Sequence, residues 1–167
     1  NDTLKTSNFL YQSGIQDLTA KIDWEYFPLT NHTVRFGVAS TMHYFTPGIT
    51  ASFVDNFTQK YDTAYGGTYV QAWEYVSYLE DDWEITKKLK VNGGIHFAAF
   101  TGAKKIYSSF QPRISLRYLL PHNLGFKISY SNMAQFMHLL VSSTPILPND
   151  FWMPANDRIS PESSHQW

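Results

Sequence analysis

A chain of 167 residues that carries 14 acidic and 13 basic side chains, for a net charge of -1, offers no bulk field for nucleic acid, and that class of partner is excluded first. The absence of cysteine removes disulfides, thiolate metal sites and a cysteine nucleophile together. Aromatic residues make up 17% of the chain while the mean hydropathy is -0.31, a mixture that suits a surface apolar on one side and wet on the other.

No stretch approaches the roughly 18 to 20 consecutive apolar residues that a membrane helix needs, whereas strands of a membrane barrel alternate and leave only a weak hydropathy signal. The N-terminus, Asn1-Asp2-Thr3-Leu4-Lys5, has no basic region followed by an apolar stretch, so it does not read as a signal peptide.

The first element starts after Gly14. Leu18, Ala20, Ile22, Trp24 and Tyr26 share one parity and Asp17, Thr19, Lys21, Asp23 and Glu25 the other, which is strand periodicity. The run ends at Pro28, and after a short turn Val34, Phe36, Val38, Met42 and Tyr44 oppose Arg35, Thr41 and His43, making a hairpin. Residues 45–68, with Pro47-Gly48 and Gly66-Gly67 and no sustained period, are expected to form a long loop.

A third strand covers 69–83, with Trp73, Tyr75, Leu79 and Trp83 opposing Glu74, Val76, Tyr78 and Glu80. Val76 and Tyr78 blur its sides and leave its register open. Beyond the turn at Thr86-Lys87-Lys88, a fourth strand alternates Leu89, Val91, Ile95 and Phe97 with Lys90, Asn92 and His96. Gly102-Ala103-Lys104-Lys105 precedes a fifth strand, in which Ile114, Leu116, Tyr118 and Leu120 oppose Arg113 and Arg117. Pro121-His122-Asn123 then leads into a sixth, with Leu124, Phe126, Ile128 and Tyr130 against Lys127. Met137-His138-Leu139-Leu140 reads as a brief helical turn, and 138–164, rich in proline, as a long loop.

Short and longer connections alternate between about six strands, the rhythm of an antiparallel up-and-down transmembrane β-barrel with tight periplasmic turns and extended outer loops. The fold class expected is therefore all-β. The turns near Pro28, Thr86 and Pro121 should lie in the periplasm and the long segments outside. Trp24, Tyr26, Trp83, Tyr118 and Tyr130 fall near predicted strand ends, where an interfacial girdle would place them. A soluble sandwich whose aromatics fill its core is the competing architecture.

Phe110-Gln111-Pro112-Arg113-Ile114-Ser115-Leu116-Arg117-Tyr118, with Tyr78-Leu79-Glu80-Asp81-Asp82-Trp83-Glu84-Ile85, Leu89-Lys90-Val91-Asn92-Gly93-Gly94-Ile95, Trp152-Met153-Pro154, Ile159-Ser160-Pro161 and Ser164-His165-Gln166, resembles the barrel of TonB-dependent outer-membrane receptors from about Tyr69 onward. The resemblance implies a barrel of roughly 22 strands around a plug in the outer membrane of a Gram-negative bacterium. It implies energy-coupled import of a scarce nutrient such as a siderophore, glycan, vitamin or peptide. The partners implied are outer-membrane lipid and lipopolysaccharide, the TonB complex through the plug, and a surface lipoprotein of the SusD type. No cofactor is implied. Nothing resembles the family's plug or TonB box, so residues 1–167 are expected to be an internal fragment of the barrel domain.

Catalytic chemistry finds little footing. The histidines, His32, His43, His96, His122, His138 and His165, show no metal-ligand spacing, and no GxSxG, P-loop or GxGxxG is present. Glu80, Asp81 and Asp82 are adjacent on a strand and alternate between its faces, which suits no shared acid and base task. The protein is expected not to be an enzyme. Lys21, Glu74, Arg113, Arg117 and Lys127 oppose the apolar parity and are candidates to line the barrel lumen, where hydration and ion pairing are their ordinary role. Phe57, Tyr61, Tyr65, Phe151 and Trp152 are candidate contacts from the extracellular loops. The alternative function is a soluble β-sandwich carbohydrate-binding module whose tryptophans stack on sugars.

Overall fold

A computed structural model describes residues 6–56, 59–66, 69–102, 105–122, 124–140 and 151–167. Its strands are β1 (Thr6–Tyr26), β2 (His32–Asn56), β3 (Gln59–Gly66), β4 (Val70–Glu84), β5 (Leu89–Thr101), β6 (Ile106–Leu119), β7 (Gly125–Gln135), β8 (Met137–Leu140), β9 (Phe151–Pro154) and β10 (Glu162–Gln166). One antiparallel sheet runs β1-β2-β4-β5-β6-β7-β10, β3 pairs with β2, and β8 and β9 form a separate pair. Among the described residues no second sheet of comparable size faces the first, so the sandwich architecture is not formed.

The six strands expected from alternation are present, and the register of β4 is now fixed, with Leu79 between Phe36 and Ile95. The expected loop over 45–68 is corrected: β2 continues to Asn56 and β3 follows it. At the bulge, Gln12 pairs with Ile49 and Gly14 with Thr46, so Pro47 and Gly48 together oppose Ser13. A bulge tolerates proline within a strand and shifts its parity by one residue. Alternation therefore broke there while pairing did not, and β1 likewise starts before Gly14. The expected loop over 138–164 contains strands, and 137–140 is a strand rather than a helical turn, because Met137–Leu140 pairs with Phe151–Pro154.

Three short turns share one end of the sheet. Leu29 O accepts from His32 N (3.2 Å), Thr86 and Leu89 exchange backbone hydrogen bonds (3.1 and 3.2 Å), and Leu124 O accepts from Leu120 N (2.8 Å). Thr86 Oγ1 also accepts from the backbone N–H of Leu89 at 3.0 Å, and His122 adopts a left-handed φ of 63°. Each turn is thereby closed by local bonds and needs no packing partner.

The register sets the inclination of the strands. Tyr26, the last residue of β1, shares a row with Val34, Asp81, Gly93, Ile114 and Tyr130. From that row the turn end lies two residues away on β2, three on β4, four on β5, and five on β6 and β7. With the turns at one level, about one residue of stagger per strand sets a rise of about 3.3 Å against a spacing of about 4.8 Å, a tilt of roughly 35°. Outer-membrane barrels tilt by about this much.

The sheet has two unlike faces. On one, Ile22 (56% exposed), Val38, Leu79, Phe97, Phe110 and Ile128 (58%) stand open with no protein over them. Trp24 stacks on Phe36 at 5.4 Å and Trp73 on Tyr75 at 6.1 Å. Trp73 and Trp83 are ten positions apart on β4, which at the tilt above separates them by about 27 Å along the normal, close to the apolar band of an outer-membrane barrel. Trp24, Tyr26, Trp83 and Tyr118 sit at the turn ends of their strands, whereas Tyr130 lies in the middle of β7.

The other face carries the charge, and its far half carries the core. Phe45, Ala72, Ala98, Phe100, Phe136 and Ala155 are buried together, with Trp152 and Met137 packed against them. The chain turns inward at Phe136, whose ring stacks on Phe100 at 5.3 Å, and Ala155 N–H donates to Phe136 O at 2.8 Å. Tyr107 Oη donates to Asn156 O at 2.6 Å. Gly102 admits this approach, since a Cβ there would lie 2.5 Å from Ala155 O.

Candidate functional site

The polar face is built in rows across the strands, and two glycines let residues meet across an intervening strand. Asp23, Gly37 and Tyr78 share one row, and Tyr78 Oη donates to Asp23 Oδ1 at 2.5 Å. A Cβ on Gly37 would stand 2.5 Å from that Oδ1 and 2.7 Å from the Tyr78 ring. Glu80, Gly94 and Arg113 share another. Arg113 Nη1 donates to Glu80 Oε1 at 3.4 Å, and a Cβ on Gly94 would lie 2.7 Å from Glu80 Cγ.

All five residues predicted from the opposed parity fall on this face. Lys21 pairs with Asp23 at 3.0 Å and lies over the Tyr78 ring. Glu74 Oε2 stands 3.4 Å from His43 Nε2. Arg113 belongs to the Glu80 row, where His96 Nε2 also approaches Glu80 Oε1 at 2.9 Å. Arg117 and Lys127 are brought directly opposite each other at the turn end and border an open cavity of about 450 Å³. Lys21 and Glu74 are not gathered with them.

Of the predicted loop contacts, Phe57 lies outside the described residues, Tyr61 and Tyr65 belong to strand β3, and Phe151 opens β9. Trp152 is half-buried against the core cluster. The acidic run divides as its strand geometry requires. Glu80 and Asp82 turn to the polar face, Asp82 pairing with Arg35 and accepting from Asn92 at 2.6 Å. Asp81 turns to the apolar face, 2.7 Å from His32 Nδ1.

Sequence reasoning missed His43. It is almost wholly buried between Asp17 at 2.7 Å and Glu74 at 3.4 Å, with Phe45 and Phe100 beside it. The available signal was a break in parity: Phe45, Ala72, Ala98 and Phe100 are apolar residues on the charged side of their strands, which marks a place where something covers that side.

Among the described residues no helix is long and apolar enough to cross a membrane, and a tilted, two-faced antiparallel sheet with an uncovered apolar band is the wall of a transmembrane β-barrel. The family model described as TonB dependent receptor-like, beta-barrel, matches residues 1–167. The chain belongs to that family, whose members are receptors of Gram-negative outer membranes that transport rather than catalyse and that work with TonB. No curated protein and no solved structure matches the chain.

Proposed function

We propose that this sheet forms part of the wall of an outer-membrane receptor that imports a scarce nutrient with energy delivered through TonB. Its apolar face meets lipid and lipopolysaccharide acyl chains, and its polar face lines the lumen. Lys21, Glu74, Arg113, Arg117 and Lys127 are then lumen-lining residues, and the short turns at Pro28, Thr86 and Pro121 lie in the periplasm. The observation that carries this reading is the division of one sheet into an uncovered apolar band about 27 Å tall and a face of cross-strand ion pairs. A charged inner wall holds water in the passage, and the acyl chains of the bilayer cover the band that would otherwise promote aggregation.

Cell-surface labelling of single cysteines in the intact protein tests the orientation, with a probe that cannot cross the outer membrane. Asn56→Cys, at the far end of β2, and Lys105→Cys, between β5 and β6, should label on whole cells, while His122→Cys should label only after lysis. Labelling of His122→Cys alone on whole cells would invert the topology and remove the reading.

A further inference from the structure

At the turn end of the polar face, the register imposes an arrangement that charge alone would oppose. Lys90 on β5 stands opposite Arg117 on β6, and Arg117 stands opposite Lys127 on β7. Glu84 pairs with Lys90 and Asp82 with Arg35, yet Arg117 and Lys127 have no ionic partner among the described residues. Like charges directly opposite on neighbouring strands weaken an antiparallel pair. The two cations border the open cavity described above, whose wall also carries the hydroxyls of Thr33 and Ser115 and the carboxylates of Asp82 and Glu84, the latter two already engaged by Arg35, Asn92 and Lys90. With those carboxylates already paired, the guanidinium fork of Arg117, the ammonium group of Lys127 and the neighbouring hydroxyls are the donor set that receives an oxyanion.

We propose that Arg117 and Lys127 bind an oxyanion, a carboxylate or phosphate group that bridges the two cations and turns their repulsion into shared attraction. Two sources carry that chemistry: a free small anion, or acidic side chains of a polypeptide segment seated against the polar face. The site follows from register and charge and does not depend on which compartment the turns face.

Thermal melting of the intact protein in detergent or lipid tests it by sign. The neutralised variant Arg117→Gln/Lys127→Gln is compared with the exchanged variant Arg117→Lys/Lys127→Arg, which keeps both charges. With an oxyanion bound, the neutralised variant melts below wild type and the exchanged variant melts near it. With none bound, neutralisation relieves repulsion, and a Tm that rises or stays unchanged overturns the site. A fall of equal size in the exchanged variant overturns it too, because packing and not charge would then be responsible. Titration with inorganic phosphate separates the sources. A saturable upward shift in wild type, lost in the neutralised variant, assigns a free anion, and a charge-dependent difference that phosphate leaves unaltered assigns protein carboxylates.

Discussion

The polar face is one surface with two halves that solve the same problem differently. Near the turns it lies open, and its polar-parity positions carry Arg35, Glu80, Asp82, Lys90 and Arg113, held in ion pairs and hydrogen bonds. Toward the other end the same parity carries Phe45, Ala72, Ala98 and Phe100, covered by the inward-folded β8–β9 pair. Strand alternation assigns a side chain to a face, and what covers that face decides which chemistry is stable there. Ion pairs that stay wet are worth little individually, so the open half owes its order to the backbone ladder, and the covered half adds apolar burial.

The largest effect is expected where that burial is concentrated. Phe100→Ala removes a fully buried ring from its stack on Phe136 and should destabilise the protein by about 3–5 kcal/mol in a denaturant titration of the folded barrel. It should also loosen the β8–β9 pair, read as faster proteolysis within Phe151–Pro154; an effect below about 1 kcal/mol would show that the pair does not shelter this half. On the apolar face there is no such protein shelter. Ile22→Arg should cost roughly 2–4 kcal/mol if that position lies near the bilayer midplane, and in the same titration a negligible cost would place it in water. In the open half, Gly37→Ala should cost about 1–3 kcal/mol, because the added methyl meets the Asp23 carboxylate and the Tyr78 ring at once. A neutral result would mean that the row spreads easily.

These same contrasts show what the sequence made legible. Strict alternation in β1, the first half of β2, β5, β6 and β7 identified both faces, since each strand is apolar on one parity and polar on the other over many residues. The extension of β2 was hidden because Pro47 and Gly48 look like a loop when only composition is read, and a bulge is visible only with the partner strand in place. The β8–β9 pair was hidden for a different reason. Its short run of apolar residues has no period long enough to separate strand from helix, and its seat is assembled from β2, β4, β5 and the segment after β7, which are distant in sequence. Val76 and Tyr78, which blurred β4, sit on the polar face because Val76 packs on the core and Tyr78 reaches Asp23. The five candidates on the polar face were found by parity, but the opposition of Arg117 to Lys127 needed the cross-strand register.

Whether one face of this sheet meets lipid while the other meets water is read out by fluorescence quenching in liposomes. Single cysteines bearing an environment-sensitive dye would replace Ile22, Val38, Ile114 and Ile128 on the apolar face and Lys21, Ala39, Ser115 and Lys127 on the polar face. A quencher attached to lipid acyl chains should darken the first four and spare the second four, so that quenching alternates with a period of two along each strand. Equal access of an aqueous quencher to both sets, with none from the lipid, would contradict this division of the sheet.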